Sequence, residues 1–140
     1  MAGGLVISME ATLRALERLG AQAEAAGLAA ATAAAHVGET EIKRQLSRYS
    51  HPKGTPTPSP PGEPPAIVSG SLRRSIIVKP HKDSRPAYVE VGPTMVYARA
   101  QELGYRRLPP RPYVEPARAI VMAGPAQTAA LAAFAKTFYR

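Results

Sequence analysis

With 140 residues, two Phe, no Trp and no Cys, the chain has material for one modest hydrophobic core, but not for a disulfide framework or a thiolate metal site. Eighteen basic against ten acidic side chains leave a net charge of +8, a field that attracts DNA or an acidic protein surface and is equally served by solvent or a neighbouring subunit. The excess is lopsided: residues 1–49 balance five basic with five acidic groups, whereas residues 50–140 carry 13 against 5.

The N-terminus, Met1 to Met9, places no basic residue before its short apolar stretch, unlike a secretory signal. The most apolar run, Ala25 to Val37, is mostly alanine and falls short of the ~18–20 residues of a membrane span. A soluble protein without a membrane partner is expected. Residues 8–49 are rich in Ala, Glu, Leu, Arg and Gln behind a candidate N-cap, Ser8, and predict one long helix. A heptad-like stripe runs Leu13, Leu16, Gly20, Ala23, Gly27, Ala30, Ala34, Val37. Its small central residues admit close approach of another backbone. Gly20, Gly27 and Gly38 each cost about 1 kcal/mol against Ala, so the helix has three candidate breaks. Ile42, Leu46 and Tyr49 carry its larger apolar groups.

Residues 50–66 hold seven of the 15 prolines. Proline lacks the N–H and fixes φ, so this segment predicts an extended arm or loop, suited to reach onto a neighbouring subunit. A β-rich middle, residues 67–113, follows. Leu72 to Lys79 and Ala87 to Val91 read as half-buried antiparallel strands joined through Pro80 to Pro86, with Gly92-Pro93 ending the second. Met95 to Leu103 predicts a short helix closed by Gly104 in a left-handed cap. Tyr105 to Pro112 is a basic loop. Residues 114–140 predict a closing helix with Pro116 in its first turn, a break at Gly124-Pro125, and Ile120, Val121, Leu131, Phe134 and Phe138 on its buried side.

Catalytic patterns are missing from this sequence. His36, His51 and His81 have no second ligand at a metal-binding spacing. Glu63, Asp83, Glu90, Glu102 and Glu115 are isolated from one another, which leaves a carboxylate pair unsupported. Ser69-Gly70-Ser71 fits neither a nucleophile elbow nor a phosphate loop. Neither a cofactor nor an enzyme activity is expected. Nucleic-acid candidates are Arg73, Arg74, Lys79, Lys82, Arg85, Arg106, Arg107 and Arg111. With Tyr88, Tyr97, Tyr105 and Tyr113 only thinly interleaved, they allow nonspecific phosphate contact and no base readout.

Several short elements occur in a fixed order: Ser69-Gly70-Ser71-Leu72-Arg73-Arg74-Ser75-Ile76, then Tyr97-Ala98, Glu102-Leu103-Gly104, and Arg111-Pro112-Tyr113-Val114-Glu115-Pro116-Ala117. In this order and at these distances the chain resembles the small neck or tail-completion proteins of tailed phages, similar to the gene-product-ten proteins of lambdoid phages. Ser69-Gly70 stands where those proteins usually have Thr-Gly, and Tyr113 where they usually have Phe. The likeness is clearest from Pro60 to Ala117 and only architectural for the outer helices.

The resemblance implies a single α+β domain, residues 1–140: a long N-terminal helix, a small antiparallel sheet and a C-terminal helix, with the proline-rich arm between. It further implies a virion protein, made in the host bacterial cytoplasm, that forms a homo-oligomeric ring, expected to be a hexamer, around the DNA channel at the head–tail junction. Its partners would be other neck and tail proteins. A ring needs heterologous contacts, for which Pro64, Pro65, Leu72, Arg73, Tyr97, Glu102, Arg111, Pro112 and Tyr113 are the candidates. Arg74, Lys79, Lys82, Arg106 and Arg107 are the candidates to face channel DNA or an acidic partner. The alternatives are a tail terminator capping the tail tube and a basic, nonspecific DNA-binding module.

Overall fold

The computed structural model describes residues 8–54 and 59–140. Helix α1 runs unbroken from Met9 to Gln45. The Ser8 side chain accepts the Ala11 N–H at 3.4 Å, the N-cap its sequence predicts. None of the three glycines breaks the helix. Beside Gly38 strand residue Val91 packs onto the helix, its Cγ1 3.4 Å from where a Cβ would stand, an ordinary van der Waals distance. After a short helix α2, Ser71–Arg74, strands β1 (Ile76–His81) and β2 (Tyr88–Pro93) form a two-stranded antiparallel sheet. Ile76 pairs with Pro93 and His81 with Tyr88. Helices α3 (Ala98–Leu103), α4 (Val114–Met122) and α5 (Pro125–Phe138) complete an α+β fold.

Two strands alone are marginal in water, and here they lie against α1. Ile42 of α1 and Leu46 at its C-cap, Ile76 of β1, and Tyr113 and Ala117 at the start of α4 form the buried cluster, with Leu72, Val91 and Val114 packed around it. Along α1, α5 runs antiparallel. Ala126 shares a hollow with Ala34 and Gly38, while Gln22 Nε2 donates to the Phe138 carbonyl at 2.5 Å near the other end of α5.

Several sequence expectations are corrected. Residues Leu72 to Ser75 are not strand: Gly70 turns the chain at φ 73, and the Ser75 N–H returns to Ser71 O at 3.0 Å. The predicted α1 stripe is displaced. Ala26, Ala35, Gly38, Ile42 and Gln45 are its buried residues, whereas Leu13 and Leu16 are 53% and 59% exposed. Alanine on every face gave the stripe too little contrast to fix its phase. Gly104 has the expected positive φ of 77 but an extended ψ of 160, so it turns the chain without a left-handed helical cap. The Gly124-Pro125 break is present, with Pro125 opening α5. Ile120 and Leu131 are exposed there, Val121 is buried, and Phe134 and Phe138 are half-buried and stacked on each other.

The proline-rich segment is tied down at both ends. Ile67 N–H donates to Tyr49 O at 2.8 Å and His51 N–H to Ile67 O at 3.0 Å. Gly62 N–H reaches Pro110 O at 3.0 Å, and Arg48 pairs with Glu63 at 3.2 Å. Its described part folds back on its own chain instead of reaching outward. Pro56 and Pro58 lie outside the described residues.

Candidate functional site

The elements that sequence places far apart meet at the start of α4. A helix N-terminus leaves backbone N–H groups without intrahelical partners and favours a negative charge. Glu102, at the end of α3, supplies both an acceptor and that charge. Its Oε2 accepts the N–H of Tyr113 at 2.8 Å and of Val114 at 3.0 Å, and its Oε1 accepts that of Glu115 at 3.0 Å. The Tyr113 ring is fully buried, and its hydroxyl donates to Ala98 O at 3.3 Å. Burial, and secondarily the Glu102 charge, push the Tyr113 phenol well above its ordinary range.

Arg111 is 6% exposed. Its Nε donates to Ser59 O at 3.2 Å, and its backbone N–H to Gln101 O at 2.7 Å. One latch thus joins the proline segment, α3, the basic loop and α4. Between these groups Gly104 admits the loop: a Cβ there would lie 2.9 Å from Leu108 O.

The structure places the nine candidate interface residues in two different settings. Pro64, Arg111 and Tyr113 are buried in their own chain and offer a neighbour almost no surface. Glu102 is spent on backbone N–H groups, and Pro112 is half-buried between the latch residues. The other four candidates do come together. Pro65, Leu72, Arg73 and Tyr97 line one open surface hollow with Leu46 and Gln101. Nothing in the sequence marked the Ser59 and Gln101 carbonyls as partners of Arg111, since a backbone acceptor has no side-chain signature.

The basic candidates occupy three separate elements. Arg74 ends α2, Lys79 and Lys82 belong to the β1–β2 hairpin, and Arg106-Arg107 cap a tight turn. In that turn the Tyr105 and Leu108 backbones bond to each other at 2.9 and 3.0 Å, and Arg106 adopts a left-handed φ of 52. All five side chains are exposed, and among the described residues none has a carboxylate within ion-pair distance. Lys79 stands across the ladder from Glu90, whose carboxylate pairs with His81 at 2.8 Å.

Among the described residues no three His, Asp or Glu side chains gather as a metal-binding group, and no helix is long and apolar enough to cross a membrane. His36 Nδ1 donates to Glu39 Oε2 at 3.1 Å, and His51 faces the Pro52 carbonyl at 3.1 Å.

No curated protein and no solved structure matches the chain significantly. The family model described as "Bacteriophage HK97-gp10, putative tail-component" matches residues 10–104, from the first turn of α1 to the glycine that admits the latch loop. That span covers about two thirds of the 140 residues, and the chain therefore belongs to the HK97-gp10-like family of phage tail components.

Proposed function

We propose that the protein is a structural virion component that assembles as a ring at the head–tail junction and presents the surface on which the tail docks around the DNA channel. The observation that carries this reading is the family match over α1, the hairpin and α3. It is supported by the amount of apolar surface a single chain leaves in water. Val96 is 99% exposed, Leu131 71%, and Leu13 and Leu16 more than half. Exposed apolar surface on this scale marks contact sites more often than bare solvent boundary.

In the ring, the hollow lined by Pro65, Leu72, Arg73 and Tyr97 serves a neighbouring subunit or another neck or tail protein, tyrosine and arginine being favoured interface anchors. Arg74, Lys79, Lys82, Arg106 and Arg107 face channel DNA or an acidic partner, with contacts to phosphate alone. Six copies match the tail-side symmetry expected of such a ring, and no bond is made or broken by the chain.

Deletion of the gene tests the assignment. DNA-filled heads and separate tails of normal length are expected. Normal virions without the protein would refute it, and tails of uncontrolled length would move it to a terminator at the end of the tail tube.

A further inference from the structure

The ion pairs of this chain leave its charge poorly matched. Every Lys, Arg, Asp and Glu lies among the described residues. Five of the 18 Lys and Arg side chains, namely Arg14, Lys43, Arg44, Arg48 and Arg118, have a carboxylate within ion-pair distance, which leaves 13 without one. Of the ten carboxylates, six have Lys, Arg or His within that distance and Glu102 caps α4, which leaves Glu17, Glu24 and Asp83. Copies of the chain can therefore supply at most three new ion pairs per chain, whatever their number. A carboxylate already paired changes partner only by freeing another cation. Ten cations per chain stay unmatched in any homo-oligomer, and bringing copies together adds their mutual repulsion. Only a dense polyanion from outside the assembly relieves it.

Three of the unmatched cations crowd into the β1–β2 hairpin. Val91 packs onto α1, so the alternate face of the ladder, with Ile77, Lys79, His81, Tyr88 and Glu90, is turned outward. Lys79 stands directly opposite Glu90, its natural partner. That carboxylate is already taken: His81 Nε2 donates to Glu90 Oε2 at 2.8 Å, and the His81 ring is stacked on Tyr88 with centroids 4.4 Å apart. The Lys79 ammonium is thereby left free. Lys82 and Arg85 follow, both exposed, at a tip whose single acid is Asp83. We propose that this hairpin grips the sugar–phosphate backbone of duplex DNA, with Lys79, Lys82 and Arg85 as its phosphate contacts. Duplex DNA carries one negative charge per about 1.7 Å of its axis, the charge density that the unmatched cations require. Such contacts hold a duplex without reading its sequence. His81 acts as a positioning residue, since it keeps Glu90 away from Lys79.

This inference rests on the reading proposed above, and its failure is separable from that reading. Anisotropy of a fluorescent duplex of mixed sequence, titrated with the full chain between about 50 and 200 mM salt, gives the slope of log K against log[salt]. Lys79→Gln with Lys82→Gln and Arg85→Gln should lower that slope by about 3, close to 0.9 for each phosphate contact. A control, Arg18→Gln with Arg99→Gln and Lys136→Gln, removes the same charge at exposed positions elsewhere and should lower it by less than about 1. His81→Ala frees Glu90 to pair with Lys79 and should lower the slope by about 1, and Glu90→Gln in the same chain should restore it. All three hairpin side chains are exposed, so circular dichroism and Tm should match wild type. Should the triple variant not fold, the single variants carry the same test at about 1 each. Equal losses in the two triple variants would overturn the grip, and so would a native chain that binds polyglutamate but no duplex at about 50 mM salt. Either result leaves a ring built through other surfaces. The ring at the head–tail junction would fall only if imaging of intact particles found no density for the protein there, which leaves the salt slopes standing.

Discussion

Glu102 and Tyr113 are joined by a 2.8 Å hydrogen bond from the tyrosine backbone N–H to the glutamate carboxylate, and the same carboxylate takes two further N–H groups at the start of α4. A side chain from one helix therefore caps another. A residue adjacent to the helix normally does this, through one bond. Here the cap also fixes the angle between α3 and α4 and the course of the loop between them.

Replacing Glu102 with Ala removes the acceptor from all three N–H groups. The expected cost is about 2–3 kcal/mol, because each lost bond involves a charged acceptor and the freed donors regain water only in part. Chemical denaturation should show a lower midpoint with an unchanged slope. Glu102→Gln, which keeps a carbonyl oxygen but loses the charge, should fall between Ala and the native residue. Equal stability of all three would show that the cap contributes nothing.

Tyr113 provides a second check. Tyr113→Phe deletes only the bond to the Ala98 carbonyl and should cost about 0.5–1.5 kcal/mol. Tyr113→Ala empties the centre of the core and should cost about 3–5 kcal/mol. The folded phenol is held neutral above the ordinary tyrosine range. Its stabilisation is therefore complete below the unfolded value, about pH 10, and is lost as pH rises toward the folded one. The tyrosinate absorbance that distinguishes wild type from Tyr113→Phe should thus appear only as the protein unfolds in alkali.

Two glycines should respond in opposite directions to Ala. At Gly104 the φ is +77 and a Cβ would meet Leu108 O at 2.9 Å, so Gly104→Ala should destabilise by about 1–3 kcal/mol. At Gly27, inside α1, nothing lies within 4 Å of a Cβ, and Gly27→Ala should stabilise by about 1 kcal/mol through helix propensity. Thermal melts of the two variants compared with wild type settle both signs.

Acid should loosen the C-terminal half of α1. Hydrogen bonds from Lys43, at 2.6 Å, and from His36 hold Glu39 below the ordinary glutamate range, and the Arg44 hydrogen bonds do the same for Glu41. For carboxylates lowered in the fold, the stabilisation is present above the unfolded value, about 4.3, and is lost as pH falls through the lower folded values. The Tm should decline through that window. Glu39→Gln should flatten the decline, by only about 1–3 °C, because pairs near the surface are screened. An identical acid profile for Glu39→Gln would remove Glu39 from the account.

Local chemistry settled much of this fold before any tertiary contact. Ser8 and the helix formers behind it set the start of α1, which ends at Gln45 and not at residue 49, and Gly124-Pro125 set the break between α4 and α5. The alternating residues around Tyr88 set an antiparallel strand. Each of these signals acts within about four residues of itself, so sequence alone carries it. Which face of an alanine-rich helix is covered is a different kind of question. α5 and β2 decide it from about fifty or more residues away, and neither leaves a local mark on α1. For the same reason the sequence offered Arg111 and Tyr113 as surface anchors, while folding turned them inward to the Ser59 and Ala98 carbonyls.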